Sequence, residues 1–225
     1  MKKYFYLLMV TAALTSCKKK TPTPEPAPQP VPAEVFELNK STGIPASKFS
    51  VHFREDFVDN RNAWTLQAPS PNYSHTVAIT DGFYTFSNPV VNTINGTTDK
   101  ISFDQTKDWE IETKVNNESK SFAFWWNSAP GRQSSRILFG TNRMDLVDAN
   151  NEFNGGYIVL GKNVEILTQN TLKIRRVKDR YYIFLNGNLV YEGQYIFHRG
   201  QNIGYYSFEK GKMQVDYLQI SYINL

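Results

Sequence analysis

Between Leu172 and Gly193 the chain runs LKIRRV, KDR, YYIFL, NGN and LVYEG. Three short runs rich in β-branched and aromatic residues, separated by the turns Lys178-Asp179-Arg180 and Asn186-Gly187-Asn188, read as an antiparallel meander. A further strand, MQVDYLQISY (213–222), follows the turn Lys210-Gly211-Lys212 and closes the chain. Upstream, Trp109, Ile111, Thr113 and Val115 alternate with Glu110, Glu112 and Lys114, the period-two pattern of a half-buried strand. No helical segments of the length a crossover needs separate these strands, which excludes a parallel α/β sheet. The expected fold is therefore all-β, a two-sheet antiparallel sandwich without internal repeats. It occupies residues 35–225, a span large enough to bury about 70% of its unfolded surface without disulfides.

The first 34 residues have a different character. Met1-Lys2-Lys3 supplies a positive start, and the apolar run Tyr4–Leu14 is too short to cross a bilayer, which needs roughly 20 residues. Residues 1–16 read as a secretory signal. The run ends in Leu14-Thr15-Ser16-Cys17, which resembles the bacterial lipobox and implies lipidation of Cys17, the chain's single cysteine, after cleavage at Ser16–Cys17. Each buried CH₂ contributes about 0.8 kcal/mol, and more than one acyl chain makes anchoring stable. Residues 17–34 carry Lys18-Lys19-Lys20 and then TPTPEPAPQPVPA, with proline at every second position from Pro22 to Pro32. Such a segment favours polyproline II, and at about 3.1 Å per residue it spans roughly 40 Å. It reads as a stalk that holds a domain clear of lipid headgroups, the expected location being the bacterial outer membrane, on its periplasmic or outer side.

The chain has 25 Lys+Arg against 21 Asp+Glu, but five of the lysines and two of the glutamates precede residue 35. What remains, 20 against 19, gives the domain no basic footprint for nucleic acid. Serine-hydrolase elbows and nucleotide-binding glycine motifs are missing, and His52, His75 and His198 lack metal-ligand spacing.

In chain order, FREDFVDNRNAW (53–64), DWEIETKVNNESKSFAFWW (108–126), NTLKIRRVKDRYYIFLNGNLVYEG (170–193) and QVDYLQISY (214–222) resemble the concanavalin A-like lectin/glucanase superfamily over nearly the whole domain. That resemblance implies a jelly roll whose concave face holds a glycan. It makes FREDFVDNRNAWTL the first strand and its following loop. Phe57 and Trp64 would then be core aromatics, and Asp59, Asn60 and Asn62 would bond local backbone as Asx turns.

The superfamily's β-glucanases carry E-x-D-x-x-E on one strand, which the resemblance would place after SFAFWW. The sequence there, NSAPGRQSSRILFGTNRMDLVDANNEF, has no such pattern. Glu110 and Glu112 share a face but lie upstream, where a charged exterior strand is implied. No catalytic residue is therefore assigned. A related resemblance, to bacterial 3-keto-disaccharide hydrolases through the LNG meander, keeps an enzyme reading open at fold level only.

Trp125 and Trp126 are adjacent in a strand, so their rings point to opposite faces. One belongs to the core and the other is a candidate for stacking on a sugar; Trp125 is the expected outward ring, because Phe122, Phe124 and Trp126 then form one apolar stripe. Parity also puts Asp216 on the face of Leu218, Ile220 and Tyr222. If that face is the core, the carboxylate needs a partner. In the glucanases of the resemblance this aspartate helps hold a structural calcium ion, which implies calcium at Asp216; a backbone N–H or an arginine is the alternative partner. The expectation is a non-catalytic, lipid-anchored module binding polysaccharide or another glycan, with a glycan-processing enzyme or an assembly lipoprotein with a protein partner as alternatives.

Overall fold

Short runs of alternating burial build two antiparallel sheets. The computed structural model describes residues 34–70, 74–90, 94–129, 134–149, 157–195, 197 and 200–225. Cys17, the leader, the stalk up to residue 33 and His198 lie outside them.

The first sheet has eight strands. Its main path runs β12 (Asn188–Gln194), β11 (Arg180–Leu185), β10 (Gln169–Val177), β5 (Trp109–Asn117), β14 (Gly211–Ile223), β3 (Phe83–Asn88), β2 (Thr76–Thr80). The long β14 is shared along one edge. Its first half pairs with β3 and its second half with β1 (Phe49–Glu55). The second sheet runs β4 (Asn95–Lys100), β13 (Asn202–Ser207), β6 (Phe122–Ser128), β7 (Ser134–Gly140), β8 (Arg143–Ala149), β9 (Tyr157–Asn163). The meander expected over 172–193 is β10 to β12, and its β11–β12 turn places Asn186 and Gly187 at positive φ, as a tight hairpin requires.

The core lies between the sheets. Trp109, Ile111, Val115, Leu172, Ile174, Val215, Leu218 and Ile220 face it from one side, and Phe122, Phe124, Trp126, Ile137, Phe139, Ile203 and Tyr205 from the other. Burying each such side chain stabilises the sandwich by about 1.5–3 kcal/mol relative to exposure. Two pairs of polar tips meet across the core. The Tyr205 hydroxyl meets Thr113 Oγ1 at 2.8 Å, and Trp126 Nε1 donates to the Tyr181 hydroxyl at 3.2 Å.

A second, smaller cluster sits on the outer face of the eight-stranded sheet. Phe36, Leu38, Ile44 and Phe49 pack there on Val177, Tyr182, Phe184 and Ile223. The segment that precedes β1 thus covers this face, and the outer face of the six-stranded sheet is the other broad surface of the sandwich.

Candidate functional site

The stretch FREDFVDNRNAWTL is architecture. Phe57 and Trp64 are buried, with ring centroids 5.3 Å apart. Asn60 bridges both backbone groups of Trp64, and Asp59 Oδ1 accepts from the Arg61 amide at 3.0 Å. The organising group, however, is Glu55, which the sequence did not single out. Its carboxylate is 2% exposed and accepts from the Phe57 amide at 2.9 Å, from Trp64 Nε1 at 3.1 Å and from the Asn62 side chain. Asn62 therefore bonds a side chain, not local backbone. Carboxylate, indole and amide lock the turn in which Phe57 and Ala63 take positive φ.

Asp216 corrects the parity argument. The register of β14 against β5 shifts between Val215 and Tyr217, leaving Asp216 as the extra residue of a β-bulge. The bulge resets the alternation, so Met213, Val215, Leu218 and Ile220 all face the core while Asp216 stays on the outer face. Its side chain is 35% exposed and pairs with Lys114 Nζ at 2.8 Å. An ammonium group thus stands where a calcium ion would need oxygen ligands, and the described residues contain no group of three or more His, Cys, Asp or Glu that could hold a metal. This donor set does not fit calcium.

Glu110 and Glu112 lie on that same outer face. Glu110 is buried against Arg175 and Lys173, and Glu112 meets Lys173 at 3.2 Å and accepts from the Tyr217 hydroxyl. Burial and the Glu112 charge together raise the Tyr217 pKa well above the ordinary phenol value.

The two tryptophans separate. Trp126 has no exposed surface and belongs to the core, so a sugar has no access to it, and the pairing of both tryptophans as candidate ligands is corrected to Trp125 alone. Trp125 is half-buried on the outer face of the six-stranded sheet. The two strands beside β6 support its ring. Tyr206 of β13 lies 4.9 Å away at 35°, and the Arg136 guanidinium of β7 stands 4.7 Å from the indole centroid. Burial raises the Tyr206 pKa, and the Arg136 charge acts against that shift. Trp125 Nε1 is buried and has no hydrogen-bond partner among the described residues.

Beside this row runs a second one, Gly96, Tyr206, Ala123, Leu138, Asp145, Gly161, each paired with the next across the sheet. A Cβ on Gly96 would come within 2.2 Å of the Tyr206 ring, and one on Gly161 within 2.2 Å of Arg143 Nη2. Glycine therefore lets the phenol and the guanidinium lie flat across their neighbouring strands. On the same face a cleft of about 500 Å³ is lined by Trp125, Arg136, Leu138, Gly140, Arg143, Asp145, Ile94 and Phe208, among others. Arg143 donates to Asp145 Oδ1 at 2.8 Å through Nε and again through Nη2, and that bond raises the arginine's pKa. Among the described lining residues Asp145 is the one carboxylate.

Arg136, Arg143, Asp145 and Tyr206 were missed in the sequence. A signal for Arg136 existed: alternation in SSRILFG puts Arg136, Leu138 and Gly140 on the face opposite Ile137 and Phe139.

No protein-family pattern matches the chain, and no curated protein matches it in sequence. Solved structures do match. The fold is that of the concanavalin A-like glucanases. One similar structure comes from the endo-acting O-glycanases by which prominent members of the human gut microbiota initiate mucin breakdown, with TM-score 0.55, 15% identity and coverage of 78% of this chain and 100% of that one. An endo-β-1,3-glucanase from Pyrococcus furiosus gives TM-score 0.55 at 11% identity, over 78% of this chain and 95% of that one. A non-specific endo-β-1,3(4)-glucanase of family GH16 gives 0.53 at 10% identity, over 79% and 92%. At such identities the jelly-roll fold is what is shared. A retaining glycosidase needs two carboxylates about 5–5.5 Å apart; the described cleft offers Asp145, already held by Arg143.

Proposed function

We propose that this protein is an outer-membrane-anchored lipoprotein whose jelly-roll domain binds a glycan, without cleaving it, on the outer face of its six-stranded sheet. The observation that carries the reading is Trp125, a half-buried indole on the wall of the cleft, backed by Tyr206 and Arg136. A half-buried ring keeps exposed area that can stack on the apolar face of a sugar, and convergent polar groups around an aromatic wall are the usual composition of a ligand site. Neighbours of the same fold act on β-glucans or on mucin O-glycans, which supports a glycan as the ligand class. Asp145, the one carboxylate among the described lining residues, is salt-bridged to Arg143, which favours binding over hydrolysis. Anchoring rests on the LTSC sequence at Cys17 and on the proline-rich stalk that follows it.

The test is a glycan array probed with residues 36–225, the compact unit that carries both sheets. At least one polysaccharide class is expected to bind the unaltered fragment and to fail with Trp125→Ala. Retention of every array signal by that variant would remove Trp125 from the site.

A further inference from the structure

A second cleft lies on the other broad face, the outer face of the eight-stranded sheet, beside the segment that precedes β1. It measures about 480 Å³, within the range of small-molecule sites, and its described lining includes Ser41, Glu112, Gln169, Thr171, Lys173 and Asn186. Gln169, Thr171 and Lys173 alternate outward along β10, and Glu112 of β5 stands opposite Lys173. A Cβ on Gly187 would stand 3.7 Å from Ser41 Oγ, so the β11–β12 turn and the leading segment meet along one side. Ser41 is held there through its carbonyl, which accepts from Arg175 Nη2 at 2.8 Å.

Charge beside this cleft is cancelled in pairs. Lys173 stands 3.2 Å from Glu112 and 3.4 Å from Glu110, and Arg175 holds Glu110 at 2.7 Å, so two cations face two carboxylates. An anionic ligand would meet both glutamates and a cationic one both Lys173 and Arg175, and like charges brought together are unfavourable. What the lining offers is hydrogen bonding of both senses. The Lys173 ammonium carries three donors, and its two carboxylates account for two of them. Gln169 Nε2 donates to Asn116 Oδ1 at 3.0 Å, which leaves Oε1 as an acceptor, and the hydroxyls of Ser41 and Thr171 serve in either sense. Interleaved donors and acceptors without net charge match the hydroxyl groups of a sugar. We infer that this cleft is a second binding site, which takes a neutral sugar through its hydroxyls. Phe184 at its base is 1% exposed, so the contact is made by hydrogen bonds and not by stacking. The described linings of the two clefts share no residue, and the second site does not rest on the first. With both occupied, one domain holds two glycan segments on opposite faces.

The experiment is an amide NMR titration of the full chain with the methyl glycosides of glucose, galactose, mannose and N-acetylglucosamine, and with glucuronate and protonated glucosamine as charged counterparts. At millimolar concentrations at least one neutral glycoside should shift the amides of Ser41, Thr171, Lys173 and Gly187, and the charged sugars should bind at least about five-fold more weakly. Thr171→Val keeps the β-branched shape and removes one hydroxyl. The loss of one hydrogen bond should weaken that glycoside about five-fold, with an unchanged melting temperature. Trp125→Ala should leave the shifts as they are. Shifts that vanish in Trp125→Ala, or an affinity indifferent to Thr171→Val, would overturn the second site. Equal or tighter binding of glucuronate or glucosamine would overturn it too, as would silence of these amides toward every probe. Each of those results leaves an array signal that depends on Trp125 standing.

Discussion

Arg175 and Glu110 form an ion pair inside the outer layer of the domain: Nε and Oε2 lie 2.7 Å apart, and the arginine side chain has no exposed surface. The same guanidinium donates to the carbonyls of Leu38, Lys40 and Ser41 at 2.8–2.9 Å. One side chain therefore ties β10 to β5 and both to the segment that leads into the domain. Removing one partner of a buried pair costs about 3–5 kcal/mol, and the second cation at Glu110, Lys173 at 3.4 Å, offsets part of it. Arg175→Met is expected to lower the urea midpoint and to speed amide hydrogen exchange at residues 38–43. Exchange there at the unaltered rate would mean that the apolar packing of Phe36, Leu38 and Ile44 holds the segment alone.

Glu55 should matter more than any other polar residue of FREDFVDNRNAWTL. Its loss leaves the Phe57 amide and the Trp64 indole N–H buried without an acceptor, at about 1–3 kcal/mol each. Glu55→Ala is expected to destabilise strongly in chemical denaturation. Asp59→Ala, which removes an exposed pair with Arg61, should change stability by less than about 1 kcal/mol. Similar midpoints for the two variants would contradict the assignment of Glu55 as the hub.

Asp216→Ala is expected to change stability by no more than about 1 kcal/mol, because the side chain is partly exposed and its Lys114 bridge lies at the surface. EDTA should leave the melting temperature of the unaltered protein where it is. A drop on chelation, reversed by calcium, would show that a metal site exists despite the donor set at Asp216.

The strands were legible because period-two alternation is a local property. Trp109, Ile111, Thr113 and Val115 face inward as their spacing requires, and the Phe122, Phe124, Trp126 stripe lies in the core. Alternation misled at Asp216 because one inserted residue reverses every face beyond it, and nothing in QVDYLQ signals the bulge. Arg175 was illegible for a different reason. In LKIRRV it reads as an outward cation, while its partners lie 65 and 134–137 residues away in sequence. The cleft was half legible: one tryptophan could be named, but its support comes from Tyr206, Arg136 and two glycines on other strands.

Cys17→Ala should leave an unprocessed and unacylated precursor, because the chain holds no second thiol to accept a diacylglyceryl group. Labelling with radioactive palmitate reads this directly. Label retained by the variant would end the lipoprotein reading.

The tryptophan pair gives the sharpest test of the site, since neighbours in one strand should fail in opposite ways. Trp126 is enclosed by the core, stacks on Phe124 at 6.1 Å and bonds Tyr181, so Trp126→Ala removes packing and opens a cavity at about 3–5 kcal/mol. Trp125 is half-buried, with the Tyr206 ring and the Arg136 guanidinium against its indole. Trp125→Ala forfeits those ring contacts, about 0.5–1.5 kcal/mol for the aromatic pair and a comparable cation–π contribution, and leaves the core intact. Melting temperature should therefore fall markedly for Trp126→Ala and slightly for Trp125→Ala. Glycan affinity should vanish for Trp125→Ala, while Trp126→Ala, assayed below its own melting temperature, should still bind. If Trp125→Ala melted as early as Trp126→Ala and the latter bound no worse, the outer ring would be a structural prop for Tyr206 and Arg136 and the ligand would have to sit elsewhere on the domain.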